Sequence, residues 1–503
     1  MTALRALIGR FLPEGALILS VLTFGYFVMG QFRNRVLANE FGLGTELDIY
    51  YVAFRIPEVA LDVLVAAGLT APFVPIYSAL RQEDEGAAND FGRTVFTAAV
   101  LVMAAAMMAL ILFAPLVAEL VGGDLDAAGR QLYVDLLRIN CVGQVLFAAS
   151  IVVGEVLIAN RRFAFYALAP IMYTAGIVIG TIVAGDSLGI YAPALGAVIG
   201  AAAHFVVRVA GSLQTSFRIR PLLHVRTRAF REFVRLMLPR MVSYPIDPIL
   251  LTFFGVLALG FGTGSASALS FADDYRVVPV ILIAQQFSLA VFPSLSAAHA
   301  DGDRVAFNAI LRRNLVTIGV LTTVAAIGLA VVAPLLIDVL LGGGAFGPDD
   351  VALTAGLLAA FAISVPLDSL TYPLSRALYA THNTLLQVIA SICSFVTIVI
   401  AAQALAPTIG ILAIPVAYAI GTGVKVVLLA AFLYRRLRGF RDPGRLINRS
   451  MPRRGPDTSP RGVSRAGSCA PSRASPGTCP AGRTGPRSTS STGTRDPGCR
   501  RRS

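Results

Sequence analysis

Long apolar runs, broken by short polar or glycine-rich stretches, recur from near the first residue to about residue 434. Each run reaches about 20 residues, the length a helix needs to cross the hydrocarbon core of a bilayer. The runs are continuously apolar and do not alternate, which excludes barrel strands. A spanning segment that is not a barrel strand must be helical, because lipid offers its backbone no hydrogen-bond partner. Apolar windows read against turn signals predict twelve spans, at 14–37, 49–80, 92–121, 131–158, 163–184, 190–212, 237–261, 265–298, 310–341, 350–380, 384–405 and 408–434.

The polar stretches between spans are unequal. Those after even-numbered spans hold arginines: Arg81, Arg161, Arg162, a dense set from Arg218 to Arg235, Arg304, Arg312 and Arg313. Those after odd-numbered spans are short, neutral or acidic, with Asp124, Asp126, Asp186, Asp349 and Asp350; Arg130 is the main exception. The excess of basic residues on one side predicts cytoplasmic even loops and cytoplasmic termini. The first ten residues read as a basic cytoplasmic cap without a cleavage site.

The two halves resemble each other. A-P-L-V-A-E-L-V-G-G at 114–123 returns as A-P-L-L-I-D-V-L-L-G-G at 333–343, and F-V-P-I-Y-S at 73–78 returns as V-F-P-S-L-S at 291–296. Six spans per repeat is an even number, so both repeats face the same way. The expected fold is all-α: two parallel six-helix lobes around a central cavity. The expected organisation is an N-terminal lobe over 1–217, a basic inter-lobe linker over 218–236, a C-terminal lobe over 237–437 and a tail over 438–503.

Composition supports a membrane protein. Apolar residues make up 56% of the chain and charged ones 14%, against about 25% charged in soluble domains. The net charge of +13 does not describe the membrane part. From Arg435 onward there are 17 Arg and 3 Asp, whereas the remainder holds 25 basic and 26 acidic residues. This local excess argues against a nucleic-acid partner. The tail is rich in Arg, Pro, Gly, Ser and Thr and is expected to be disordered. Its abrupt onset near 445–454 is also what a frame-shifted reading of a GC-rich gene would produce. Five cysteines, three of them in the tail, form neither a disulfide framework nor a metal signature. No nucleotide-binding loop, metalloprotease or hydrolase motif is present, so no enzyme activity and no cofactor are expected. A transporter of this kind draws on a coupling ion, the membrane potential or the substrate gradient.

Ionisable residues at membrane depth are costly and commonly face a cavity or a partner. They cluster in spans 1, 2 and 8: Arg33; Asp48, Arg55, Glu58 and Asp62; Asp273, Asp274 and Arg276. Spans 2 and 8 are equivalent in the repeat, so they are expected to form facing walls of the cavity. Glu58 and Asp62 are four residues apart on one helix face. Structural roles compete: Asp48 can cap the helix of span 2, and Arg55 can pair with Glu58. Other charges at depth include Glu155, His204, Arg208, Asp247, Asp368, Arg376 and Lys425. Prolines interrupt several spans and predict helix bends at Pro57, Pro75, Pro245, Pro279 and Pro293, with Pro366 and Pro373 in span 10.

F-G-x-G-x-x-x-D at 41–48, V-A-F-R-I-P at 52–57, F-V-P-I-Y-S at 73–78 and F-A-D-D-Y-R-V-V-P at 271–279 resemble the MurJ/MviN family of lipid II flippases, within the multidrug/oligosaccharidyl-lipid/polysaccharide exporter superfamily. The resemblance spans residues 14 to 434. It implies two six-helix lobes around a cationic cavity, and alternating-access movement of a polyprenyl-pyrophosphate-linked, lipid II-like precursor for peptidoglycan synthesis. Its implied partners are that lipid-linked oligosaccharide, the bilayer and the cell-wall synthesis machinery. Arg33, Arg55 and Arg276 would then face phosphate, with Glu58, Asp62, Asp273 and Asp274 as their partners or as cation-coupling groups. The chain departs from the family pattern at Tyr26-Phe27, where the family has Ser-Arg. It departs again at Glu58, Leu61 and Asp62, where the family has Asn and two arginines. These carboxylates favour, as alternatives, a cation-coupled exporter of amphipathic small molecules or of another lipid-linked polysaccharide. A third reading is a membrane scaffold without transport.

Overall fold

The computed structural model describes residues 14–122, 125–243, 246–381 and 385–439. Pro245 and the basic tail from 440 onward lie outside the described residues. Each apolar run is helical. Span 1 is α1 (Glu14–Phe41). Span 2 is α2 (Thr45–Leu61) and α3 (Ala67–Glu83), joined by a π-helical segment, Asp62–Ala66. Span 3 is α4 (Glu85–Leu112) with the short α5 (Ala114–Val121); spans 4 to 6 are α6 (Ala127–Ala159), α7 (Phe163–Leu188) and α8 (Tyr191–Ser212). Span 7 consists of α9 (Arg228–Ser243) and α10 (Ile246–Leu259). Span 8 is α11 (Ser265–Pro279), a second π segment, Val280–Gln285, and α12 (Gln286–Ala300). Spans 9 and 10 are α13 (Arg304–Leu341) and the pair α14 (Pro348–Ala362) and α15 (Ser364–Ala380); spans 11 and 12 are α16 (Leu385–Ile409) and α17 (Ala413–Gly439).

Among the described residues, seven helical stretches are long and apolar enough to cross a bilayer by length and composition alone, and the α14–α15 pair makes an eighth. The stretch Leu385–Leu437 counts once in that total, yet it contains spans 11 and 12, which pack against each other as α16 and α17. The remaining spans are helical but broken or polar: span 1 carries Arg33, Asn34 and Arg35, span 2 is divided by its π segment, and in span 7 only Ile246–Leu259 is apolar. The chain is a multi-pass membrane protein. Acidic loop residues serve as helix caps: the carboxylates of Asp84, Asp126 and Asp303 accept from the backbone N–H of Gly86, Gly129 and Ala306 at 2.7, 2.7 and 2.9 Å.

Packing repeats along with sequence. In the first half α7 packs on α8, α6 on α8, α1 on α7, and both α2 and α4 on α6. In the second half the equivalent pairs recur: α16 with α17, α15 with α17, α10 with α16, α11 with α14, and α13 with α14 and α15. The α7–α8 contact is a close one, because Gly176, Gly180, Gly196 and Gly200 face each other and leave no room for a β-carbon. The two six-helix lobes meet where α2 touches α10 and α11 and where α1 touches α13. The helix α9 begins inside the basic stretch read as linker and packs on α3 and α4 of the first lobe. It turns Phe233 inward and leaves Arg228, Arg231 and Arg235 exposed.

Four of the five prolines expected to bend helices lie within the described residues. Helix continues through Pro57, Pro75 and Pro293, and Pro279 ends α11 directly before the second π segment. Among described helix pairs that together are long and apolar enough to span, one is bent by more than 40°, at Ile363, by 42°, three residues before Pro366. Neighbouring helices help to absorb the disruption. One turn before Pro57, the Phe54 carbonyl accepts from the Asn140 amide of α6 at 3.0 Å. The two π segments, starting at Asp62 and Val280, stand 218 residues apart, the same register that separates Pro75 from Pro293.

Candidate transport cavities

At the odd-loop end the two lobes are bolted together. Gly264 enters α11 with φ +84°, a conformation that leaves its N–H and that of Ser267 pointing away from the helix start. The Asp48 carboxylate, from α2 of the other lobe, fills that position. It accepts from Gly264 N at 2.6 Å, Ser267 N at 2.7 Å and Ser267 Oγ at 2.7 Å, and is 2% exposed. Alongside, Thr45 and Thr263 share a hydrogen bond at 3.2 Å. Ala345 N donates to the Asn39 carbonyl at 2.7 Å, and Arg35 Nη1 to the Val339 carbonyl at 2.6 Å.

Beyond this seal lie two cavities. One, of about 300 Å³, is walled by α1, α2, α7 and α11. In it Arg33 donates to Asn34 Oδ1 at 2.7 and 3.1 Å, and Asn34 Nδ2 donates to Asp274 Oδ2 at 2.9 Å. Arg33 also stands 3.6 Å from that carboxylate. Arg55 and Glu58 face the same space, 3.7 Å apart, with side chains 30% and 39% exposed. The other cavity, of about 490 Å³, lies within the second lobe. There Arg276 is 5% exposed and takes two carboxylates, Asp273 at 2.6 Å and Asp368 at 3.2 Å. Tyr418 donates to Asp368 at 3.1 Å, and its ring lies 4.4 Å from the guanidinium centre. A narrow crevice lined by Tyr51, Arg55, Asp273 and Phe361 runs between α2 and the second lobe.

The residues singled out from sequence therefore divide. Arg33, Arg55, Glu58 and Asp274 share the first cavity. Asp273 and Arg276 line the second. Asp48 is corrected: it lines neither of these cavities, and both its carboxylate oxygens are taken up at the inter-lobe seal. It is a helix cap, though for α11 of the other lobe; α2 itself starts at Gly44 without a side-chain cap. Asp62 opens the first π segment one turn past Glu58 and is not among the residues lining these cavities. Sequence reasoning missed Asn34, Ser267 and Tyr418. Asn34 sat next to a noted arginine, whereas Tyr418 stood in an apolar run with nothing to mark it.

At the 218-residue register the two lobes carry the same i, i+3 ion pair with its signs exchanged. Arg55 corresponds to Asp273, and Glu58 to Arg276. The first cavity matches two arginines with two carboxylates, and the second matches three cations with three carboxylates. The arrangement can hold a polar head that carries charge, provided that the head exchanges places with internal partners.

Comparison with known proteins agrees with this architecture. The probable lipid II flippase MurJ of Rickettsia prowazekii is 24% identical over 375 residues, covering 74% of each chain. The lipid II flippase MurJ of Burkholderia cenocepacia is 25% identical over 428 residues, covering 83% of this chain and 82% of its own. Among solved structures, lipid II flippase MurJ in an inward closed conformation superposes with a TM-score of 0.72 at 23% identity, over 84% of this chain and 90% of that one. An inward-facing multidrug resistance transporter of the MATE family gives 0.69 at 13% identity, over 84% and 99%. The sequence profile described as lipid II flippase MurJ matches residues 37–450. With that match over most of its length, the chain belongs to the lipid II flippase MurJ family.

Proposed function

We propose that this protein moves lipid II, or a closely similar polyprenyl-pyrophosphate-linked precursor, across the cytoplasmic membrane for peptidoglycan synthesis, by alternating access. The observation that carries the reading is the pair of polar cavities set beyond a sealed inter-lobe contact, in a chain of the lipid II flippase MurJ family. Arg33, Arg55 and Arg276 meet the phosphate, since a guanidinium matches phosphate oxygens in geometry and charge. Glu58, Asp273 and Asp274 hold those arginines between passages, and the membrane potential or an ion gradient supplies the drive. Both termini and the arginine-bearing even loops face the cytoplasm, and cell-wall synthesis enzymes lie on either side of the transport step. The matched carboxylates favour a second reading, a cation-coupled exporter of amphipathic small molecules on the same scaffold.

Complementation separates the two. A host depleted of its own lipid II flippase and supplied with this protein is expected to grow. Failure to grow, with the protein present in the membrane, removes the leading reading. Growth that survives joint Arg33→Ala, Arg55→Ala and Arg276→Ala replacement keeps the function and removes this assignment of the arginines.

A further inference from the structure

Lys425 lies in the middle of α17 and lines the 490 Å³ cavity of the second lobe. It is the only lysine in the chain; every other basic residue apart from histidine is arginine. Three cations reach this cavity, Arg276, Arg376 and Lys425, together with three carboxylates, Asp247, Asp273 and Asp368. They are not evenly paired. Arg276 alone takes both Asp273 and Asp368. Among the described residues, no carboxylate oxygen comes within 4.0 Å of Lys425 or Arg376. Arg376 lies instead over the ring of Phe292, 5.5 Å from its centre. Two cations are thus left facing one carboxylate, Asp247. An unmatched cation at membrane depth is costly to keep and marks a path for a charged ligand. The remaining polar wall is neutral and rich in hydrogen-bonding groups: Thr371, Ser375, Gln387, Ser391 and Thr422. The volume falls within the range of sites that enclose a ligand group.

We propose that this cavity is a second anion subsite for the transported molecule, in which Lys425 and Arg376 receive one of its oxyanions, a phosphate or a carboxylate. The hydroxyl and amide side chains take the neutral polar groups beside it, and Asp247 accepts from a donor of the same head. The ammonium of Lys425 is a compact charge with three donors, able to follow an oxyanion as it turns. The first cavity differs, because Arg33 and Arg55 there each stand within 4 Å of a carboxylate. The subsite rests on the transport of a lipid-linked anion proposed above.

The single lysine makes the test direct. An amine-reactive reagent labels the purified full-length protein only at Lys425 and at the N-terminal amine, which serves as an internal control. Lipid II is expected to slow Lys425 labelling several-fold while leaving the control unchanged. Protection by polyprenyl pyrophosphate as well identifies the pyrophosphate as the bound anion; protection by lipid II alone identifies an oxyanion of the head. Equal protection by phosphatidylglycerol, or none by any of the three, overturns the proposal. Binding measured in parallel does not depend on labelling. Lys425→Gln is expected to weaken lipid II binding roughly ten- to hundredfold, and Lys425→Arg to restore most of it. Unchanged affinity in a well-folded Lys425→Gln or Arg376→Gln protein overturns the subsite while leaving the transport reading standing. Absence of lipid II binding to the unaltered protein overturns the transport reading itself.

Discussion

Arg276 shows how much one side chain settles in this molecule. A guanidinium held at membrane depth must be satisfied on every side. Here two carboxylates, a tyrosine ring and a phenylalanine ring do so. Removing it would leave Asp273 and Asp368 as neighbouring charges without their counter-ion. Arg276→Ala is therefore expected to destabilise the protein by the lower part of the roughly 3–5 kcal/mol range for a broken buried pair, since the two carboxylates retain 20% and 17% exposure. Thermal unfolding in detergent measures it, and replacement of all three charges by neutral residues should recover part of the loss. The sequence marks Arg276 plainly, as an arginine inside an apolar run. It cannot show that Asp368, 92 residues later, is its partner, because only the folded packing of α11 on α14 and α15 brings them together.

Among elements, spans 2 and 8 carry the clearest design. Both contain a π segment at the same register, and both present an i, i+3 ion pair one turn before it. The wider π turn turns the helix surface relative to a regular α-helix, so residues before and after it face different neighbours. The Arg55–Glu58 pair was legible from its spacing, but the π segments were not, since apolar periodicity carries no mark of a π turn. The capping of α11 by Asp48 was equally hidden, since a cap supplied from another lobe has no local signature. Replacement of Thr45 and Thr263 by cysteine, in a background lacking the native cysteines, is expected to yield an intramolecular disulfide on oxidation. It should abolish complementation until reduced, if parting of this seal is a step in transport. Disulfide formation detected by gel mobility, with transport undiminished, would show that the seal need not open.

For the whole molecule, the count of spans and their grouping into halves were legible because membrane burial imposes long apolar runs on the chain. The charged cavity residues Arg33, Arg55, Glu58, Asp273, Asp274 and Arg276 were legible as charges inside apolar runs, but their division between two cavities was not, since it depends on which polar residues on distant helices converge. The arginine-bearing even loops lie on one side of the predicted topology, and labelling checks it. Arg161→Cys should react with a membrane-impermeant maleimide only after permeabilisation, and Asp186→Cys in intact cells; the reverse pattern would invert the topology. The contact between Thr45 and Thr263 carries a last consequence. The two occupy the same position of the internal repeat, 218 residues apart, so the seal joins a position to its own counterpart. In a homodimer of identical halves, one gene would write both walls, and an arginine on one would face an arginine on the other. Because both halves lie in one chain, the paired positions are free to differ, and the opposite signs at Arg55 and Asp273 are a difference that two identical halves are unable to encode.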